Sequence, residues 1–61
     1  MNLKRYEQYM ILRRKKKIKL SDVAEYCGCS ISALSQYETG KIKLKKDKLE
    51  KYMNYIDEKA V

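Results

Sequence analysis

Proline, histidine, tryptophan and phenylalanine are all absent from this chain of 61 residues, and glycine and cysteine occur twice each. Each scarcity removes a class of protein. With no proline, and with Gly28 and Gly40 as the only glycines, few points force a helix to stop. The abundant Lys, Leu, Glu and Ile lose little rotamer freedom in a helix, so an all-α fold is expected. With no histidine, Cys27 and Cys29 lack the partners that complete the usual zinc ligand set, and neither a metal nor a cofactor is expected. The two thiols read as small apolar groups at core positions. Catalysis has no foothold: there is no imidazole and no phosphate-cradling glycine loop, and the carboxylates are dispersed at helix ends, so an enzyme is not expected. A long apolar run is also missing. Met1 to Tyr9 is polar, so neither a signal peptide nor a membrane span is expected, and the setting that follows is the reducing cytoplasm.

Positive charge is in excess. Fifteen Lys plus Arg against eight Asp plus Glu leave a net +7, which makes a polyanion the natural partner; the bland alternative is a lysine-rich, solubilised surface. A chain this short has room for one domain, residues 1–61. It buries only about 60% of the surface its unfolded form exposes, so its stability is expected to be marginal.

Apolar spacing divides the chain into four helices. From Asn2 to about Lys16, Leu3, Tyr6, Tyr9, Met10 and Leu12 recur at intervals that make one stripe, and the run from Arg13 to Lys17 suits a helix C-terminus, where cations meet the negative end of the dipole. Leu20 to Cys27 is a second, short helix with Leu20, Val23, Ala24 and Cys27 on one face and Asp22 and Glu25 early in it. Gly28 stops it, accepting the positive φ of a helix terminus without steric cost. Ser30 is placed to cap a third helix, Ile31 to Glu38. That helix places Ile31, Leu34 and Tyr37 or Glu38 on its inner face and Ser32, Ala33, Ser35 and Gln36 outside. Gly40 is a second stop, and Lys41 to Lys45 forms a basic loop anchored by Ile42 and Leu44. A fourth helix from about Lys46 carries Leu49, Tyr52, Met53 and Ile56 on one face, and Asp57 to Val61 is expected to fray. The six tyrosines read mostly as core fillers.

Two short helices about Gly28-Cys29-Ser30 are the parts of a helix-turn-helix. The requirements are specific: Ala24 must be small where the helices cross, Gly28 must turn the chain, and Val23, Cys29, Leu34 and Tyr37 must fill the wedge. On these residues, together with Leu12-Arg13, Ile18, Glu25, Cys27, Ser32, Ser35-Gln36, Glu38 and Gly40, the sequence resembles the helix-turn-helix domains of phage Cro proteins and lambda-type repressors, the Xre-like family. The resemblance covers nearly the whole chain, and Val23 to Gly40 is its most specific part. It implies a small lambda-repressor-like domain of four helices, or five, whose third helix lies in the major groove of double-stranded DNA.

The base-contacting places in such a domain are held here by Ser30, Ile31, Ser32, Ser35 and Gln36. Gln36 is the strongest of them, because its amide matches the donor and acceptor pattern of adenine. Ser30, Ser32 and Ser35 suit bases or phosphates. Ile31 has two readings, contact with a thymine methyl or inward packing. Phosphate contacts are expected from Lys41, Lys43 and Lys45, with Lys19 and Ser21 at the start of the second helix and Arg14 or Lys17 assisting. The sequence departs from many relatives at Lys19-Leu20-Ser21, where they carry Gln or a hydroxyl residue near a phosphate, and in its short C-terminus, which puts the geometry of any dimer in doubt. Arg13 and Glu38 occupy places that in some relatives form a partly buried salt bridge, and they read as structural; two solvated charges are the alternative.

The leading function is a sequence-specific repressor of phage or mobile-element type, binding a pseudo-palindromic operator as a homodimer. An antitoxin-type protein that binds a toxin partner and autoregulates its operon is the alternative. A basic membrane-surface peptide, suggested by Arg13 to Lys19, is disfavoured by the turn before Leu20. No small-molecule ligand and no membrane partner are implied.

Overall fold

The carboxylate of Glu7 marks where the first helix begins. In the computed structural model, which describes residues 2–59, Lys4 is extended and its amide donates to Glu7 Oε1 at 3.0 Å. Helix α1 therefore spans Arg5–Lys15 rather than starting at Asn2. Leu3 lies outside it and is exposed, so the expected stripe loses its first member. Tyr6, Tyr9 and Leu12 pack against the core. Helices α2 (Leu20–Cys27) and α3 (Ile31–Glu38) follow the apolar spacing, and α4 spans Lys46–Glu58.

The fourth helix runs further than expected, through Asp57 and Glu58. Tyr9 of α1 and Lys16, the residue just after it, hold its end. Lys16 Nζ donates to the carbonyl of Ile56 at 2.7 Å and to that of Asp57 at 3.3 Å, and the Tyr9 hydroxyl donates to Asp57 Oδ2 at 2.8 Å. Terminal carbonyls that have no partner within the helix are thus satisfied from a neighbour. Of the stretch expected to fray, Ala60 and Val61 lie outside the described residues.

Three consecutive helices end in the same way. Ile18, Cys29 and Lys41 each donate an amide to a carbonyl five residues back, on Arg13, Ala24 and Gln36, at 3.0, 3.1 and 2.9 Å. The residue before each, Lys17, Gly28 or Gly40, takes a left-handed φ of 59°, 72° or 81° and donates to Arg14, Glu25 or Tyr37. This is the Schellman closure. Glycine occupies two of the three places and lysine the third. At Gly40 the requirement is doubled, because a Cβ there would lie 2.5 Å from the hydroxyl oxygen of Tyr6.

The core is Ile18, Val23, Ala24, Cys27, Leu34, Tyr37, Tyr52 and Ile56, with Leu20, Cys29, Leu44, Leu49 and Met53 packed against it. Helix α4 packs on α2 and α1, and α3 packs on the same two helices. Ile42, expected as a loop anchor, is instead 37% exposed, leaving Leu44 to tie down the loop. Ala33, expected on the outer face, is half-buried. Burial pushes the Cys27 thiol up to about 11, helped by neighbouring Cys29, so it is neutral at physiological pH. Among the described residues no helix is long and apolar enough to cross a membrane.

Candidate nucleic-acid interface

Helix α3 is set in place by its buried side and by one ion pair. Leu34 and Tyr37 enter the core from it, and the Tyr37 ring meets Tyr6 of α1 and Tyr52 of α4 edge-on, at centroid separations of 6.2 and 5.3 Å. Beside Tyr37, Glu38 is buried and faces Arg13 of α1. Arg13 Nε donates to Glu38 Oε2 at 2.7 Å and Nη2 to Oε1 at 2.9 Å, a two-pronged geometry that a planar guanidinium suits. The third guanidinium nitrogen, Nη1, donates to the carbonyl of Ile18 at 2.8 Å, so the residue that grips α3 also holds the turn after α1. The Tyr52 hydroxyl donates to Glu38 Oε2 at 2.8 Å.

Each group in this cluster is satisfied, as burial demands. The bond from Glu38 holds the Arg13 guanidinium even further above neutrality than usual. Burial, then the bond to Glu38, drives the Tyr52 phenol far upward and keeps it a donor. Tyr52 was not foreseen as a partner of the pair. A phenol placed on the inner stripe of α4 is the signal that exposes it, because a buried hydroxyl requires an acceptor.

With its inner side fixed, α3 presents Ser32, Ser35 and Gln36 to solvent together. Gln36 Nε2 donates to Ser32 Oγ at 3.3 Å, a long bond that leaves the amide oxygen free. Ser30 Oγ accepts from the Ala33 amide at 3.0 Å and so caps α3 from its N-terminus. Its hydroxyl proton remains to be donated outward. Ile31 stands 51% exposed at the first helical position, not packed inward. Thr39 Oγ1, at the other end, donates to the carbonyls of Ser35 and Gln36 and closes the helix.

Exposed cations lie on the segments that follow α3 and precede α2. Lys41, Lys43 and Lys45 are exposed on the segment between α3 and α4, whose start is pinned by the bond from the Lys41 amide to Gln36. Lys19 is the N-cap residue of α2 and Ser21 lies in its first turn, both exposed. No side chain caps α2, so the Leu20 and Ser21 amides remain open to an outside acceptor, while that of Asp22 already donates to the Lys19 carbonyl. Arg14 and Lys17 are exposed at the end of α1.

Other cations are committed elsewhere. Lys16 closes α4, and Lys48 Nζ donates to the carbonyls of Cys27 and Gly28 at 3.0 and 3.3 Å, closing α2 from α4. Together with Arg13, they remove three of the fifteen positive charges from service to a polyanion. Among the described residues no group of His, Cys, Asp and Glu is gathered in a way that suits a metal ion. The model of a helix-turn-helix family matches residues 10–60. No match is found among curated proteins or among solved structures.

Proposed function

The chain belongs to the Cro- and lambda-repressor-type helix-turn-helix family, and from that membership we propose that it is a sequence-specific repressor of phage or mobile-element type that lays α3 in the major groove of duplex DNA. Membership supports a DNA-binding regulator. The observation that carries the finer reading is the joint exposure of Ser32, Ser35 and Gln36 on a helix whose opposite side is pinned by Leu34, Tyr37 and Glu38.

In this reading Gln36 exchanges its long bond to Ser32 for a bidentate pair with an adenine edge, and Ile31, exposed at the helix start, meets a thymine methyl. Ser30, Ser32 and Ser35 reach bases or adjacent phosphates. Lys41, Lys43 and Lys45 on one flank, and Lys19, Ser21 and the open amides of α2 on the other, grip the backbones and set the register. Two copies bind a pseudo-palindromic operator with recognition helices one turn of DNA apart, about 34 Å. The described residues extend 29 Å along their longest axis, a size comparable with that spacing. Repression then follows from occupying the promoter.

Selection from a random duplex library, followed by anisotropy titration, tests this reading. We expect a defined half-site containing an adenine whose preference disappears in Gln36→Ala, at a cost of about 1 to 3 kcal/mol on the preferred site only. An unchanged base preference in Gln36→Ala would remove the contact assignment, and the absence of any duplex preference in the wild type would remove sequence-specific repression itself.

A further inference from the structure

Tyr26 projects from α2 away from its buried side and is 52% exposed, a large aromatic left in water. Its ring meets that of Tyr55 on α4 at 5.2 Å between centroids. Two open hollows share this pair as a wall: one of about 190 Å³ bordered by Glu58 and Lys59, the other of about 300 Å³ bordered by Asp22 and Glu25. Among the described residues, Asp22, Glu25 and Glu58 take part in no ion pair, the bridge of this chain being that of Arg13 with Glu38. In a chain of net charge +7, an aromatic pair edged by three free carboxylates has the opposite electrostatic character from the surface around α3.

A cation already rests on this face. Lys59 Nζ lies 5.3 Å from the centroid of the Tyr55 ring, within the range at which an ammonium is attracted to an aromatic face. The surface thus displays the chemistry it accepts, a positive group over a tyrosine with carboxylates alongside. Tyr55 and Glu58 belong to α4 and Ser32, Ser35 and Gln36 to α3, two helices that pack chiefly on α1 and α2 rather than on each other. Phosphate would be repelled by the three carboxylates.

We propose that the Tyr26–Tyr55 face docks a segment of a protein partner bearing arginine or lysine side chains. One cationic side chain of the segment displaces Lys59 over Tyr55, and its neighbours pair with Asp22, Glu25 and Glu58. Exposed tyrosine is favoured at the centre of such contacts because it supplies large, stiff area, and the carboxylates give the sign of the partner. Tyr26, Tyr55, Glu25 and Glu58 lie outside the proposed DNA contacts, which Asp22 adjoins in the first turn of α2, so a partner held there can be brought to an operator.

The test is a nuclear magnetic resonance titration of the isotope-labelled full chain with a peptide of alternating arginine and alanine, compared with spermidine. We expect peptide-induced shifts to cluster on residues 22–26 and 55–59. Tyr26→Ala and the Glu25→Gln/Glu58→Gln pair are each expected to weaken the peptide about tenfold, while the anisotropy titration of Tyr26→Ala with the selected duplex stays at the wild-type midpoint. Shifts scattered over Asp47 and Glu50, or a peptide affinity indifferent to Tyr26→Ala, would overturn the proposal. So would spermidine matching the peptide in both pattern and midpoint, which would assign the face to small cations. Self-association of the wild type that Tyr26→Ala abolishes would assign it to a second copy and overturn it equally. Loss of duplex binding in the wild type would strike the repressor reading and leave this one standing.

Discussion

The Tyr52 hydroxyl and the Arg13 guanidinium both donate to one oxygen of Glu38, Oε2, at 2.8 and 2.7 Å. Three helices, α1, α3 and α4, therefore converge on a single carboxylate whose side chain is 4% exposed. Taking Arg13 away strands that charge in the interior, which costs about 3 to 5 kcal/mol. Stability scales as roughly 0.05 to 0.15 kcal/mol per residue, so a chain of this size has about 3 to 9 kcal/mol in all. Arg13→Ala is expected to leave a large unfolded fraction in urea titrations at neutral pH. Tyr52→Phe removes one bond to a charged acceptor and is expected to cost about 1.5 to 3 kcal/mol. Replacing both ions, Arg13→Met with Glu38→Leu, should recover most of the loss, because no charge is then buried alone. A loss below about 0.5 kcal/mol in Arg13→Ala, the ordinary range of a surface change, would show that the pair is solvated in solution.

The left-handed residue after α1 is a lysine, whereas the corresponding residues after α2 and α3 are glycines. A side chain in that region costs about 1 to 2 kcal/mol, so Lys17→Gly is expected to raise the melting temperature by several degrees. The same reasoning reverses at Gly40, where alanine is both strained at φ 81° and driven into Tyr6. At Gly28 the nearest atom to a new Cβ is Nζ at the end of the long Lys48 side chain, at 3.3 Å, so Gly28→Ala should lower the melting temperature less than Gly40→Ala. Equal losses at the two glycines would remove the Tyr6 contact from the account.

Helices α2 and α3 were legible to the residue because their ends are written in the residues that stop or start a helix, Gly28, Ser30 and Gly40. Where the stop is made by other means, the sequence was silent. The start of α1 depends on Glu7 reaching back to the Lys4 amide, whereas the turn expected to begin at Lys17, after the basic run, is where the chain turns, with a left-handed lysine in place of a glycine. The end of α4 is held by Lys16 and Tyr9, about forty positions earlier, a relation no local window contains. Ile31 illustrates the same limit for the candidate interface: periodicity at the first position of a short helix allowed either side, and the packing leaves it exposed. The outward set Ser32, Ser35 and Gln36 needed only helical spacing, while the third partner of Glu38 needed the fold.

Alkaline conditions should weaken the protein, and the sign follows from which state holds its protons more tightly. Burial raises Cys27 to about 11 and also raises Tyr52 and Tyr37. Tyr9 is raised by its bond to Asp57. In the unfolded chain these groups titrate near their ordinary values, about 8.5 for a thiol and about 10 for a phenol. The unfolded state therefore loses protons first as pH climbs, and the stability these groups confer, complete below about pH 8.5, drains away toward pH 11 and beyond. Urea midpoints should be level from about pH 7 to 8.5 and fall above that, and Cys27→Ala should delay the onset of the fall to the phenol range, whatever it costs at neutral pH. A midpoint that rises above about pH 9 would contradict the burial of Cys27, Tyr37 and Tyr52.

Salt dependence separates the lysines proposed to face DNA from those that hold the helices. If Lys19, Lys41, Lys43 and Lys45 each neutralise one phosphate, log affinity for the selected duplex should fall with log salt at a slope of about −3.6 per bound copy, taking about 0.9 for each contact. Lys43→Ala should weaken every duplex by a similar factor and reduce the magnitude of that slope by about 1. Lys16→Ala removes the same formal charge, but its ammonium is engaged with the carbonyls of Ile56 and Asp57. We therefore expect it to lower the melting temperature and leave the slope unchanged. If Lys16→Ala and Lys43→Ala flattened the slope equally, the affinity would be reporting net charge alone, and the assignment of phosphate contacts to the segment between α3 and α4 would fail.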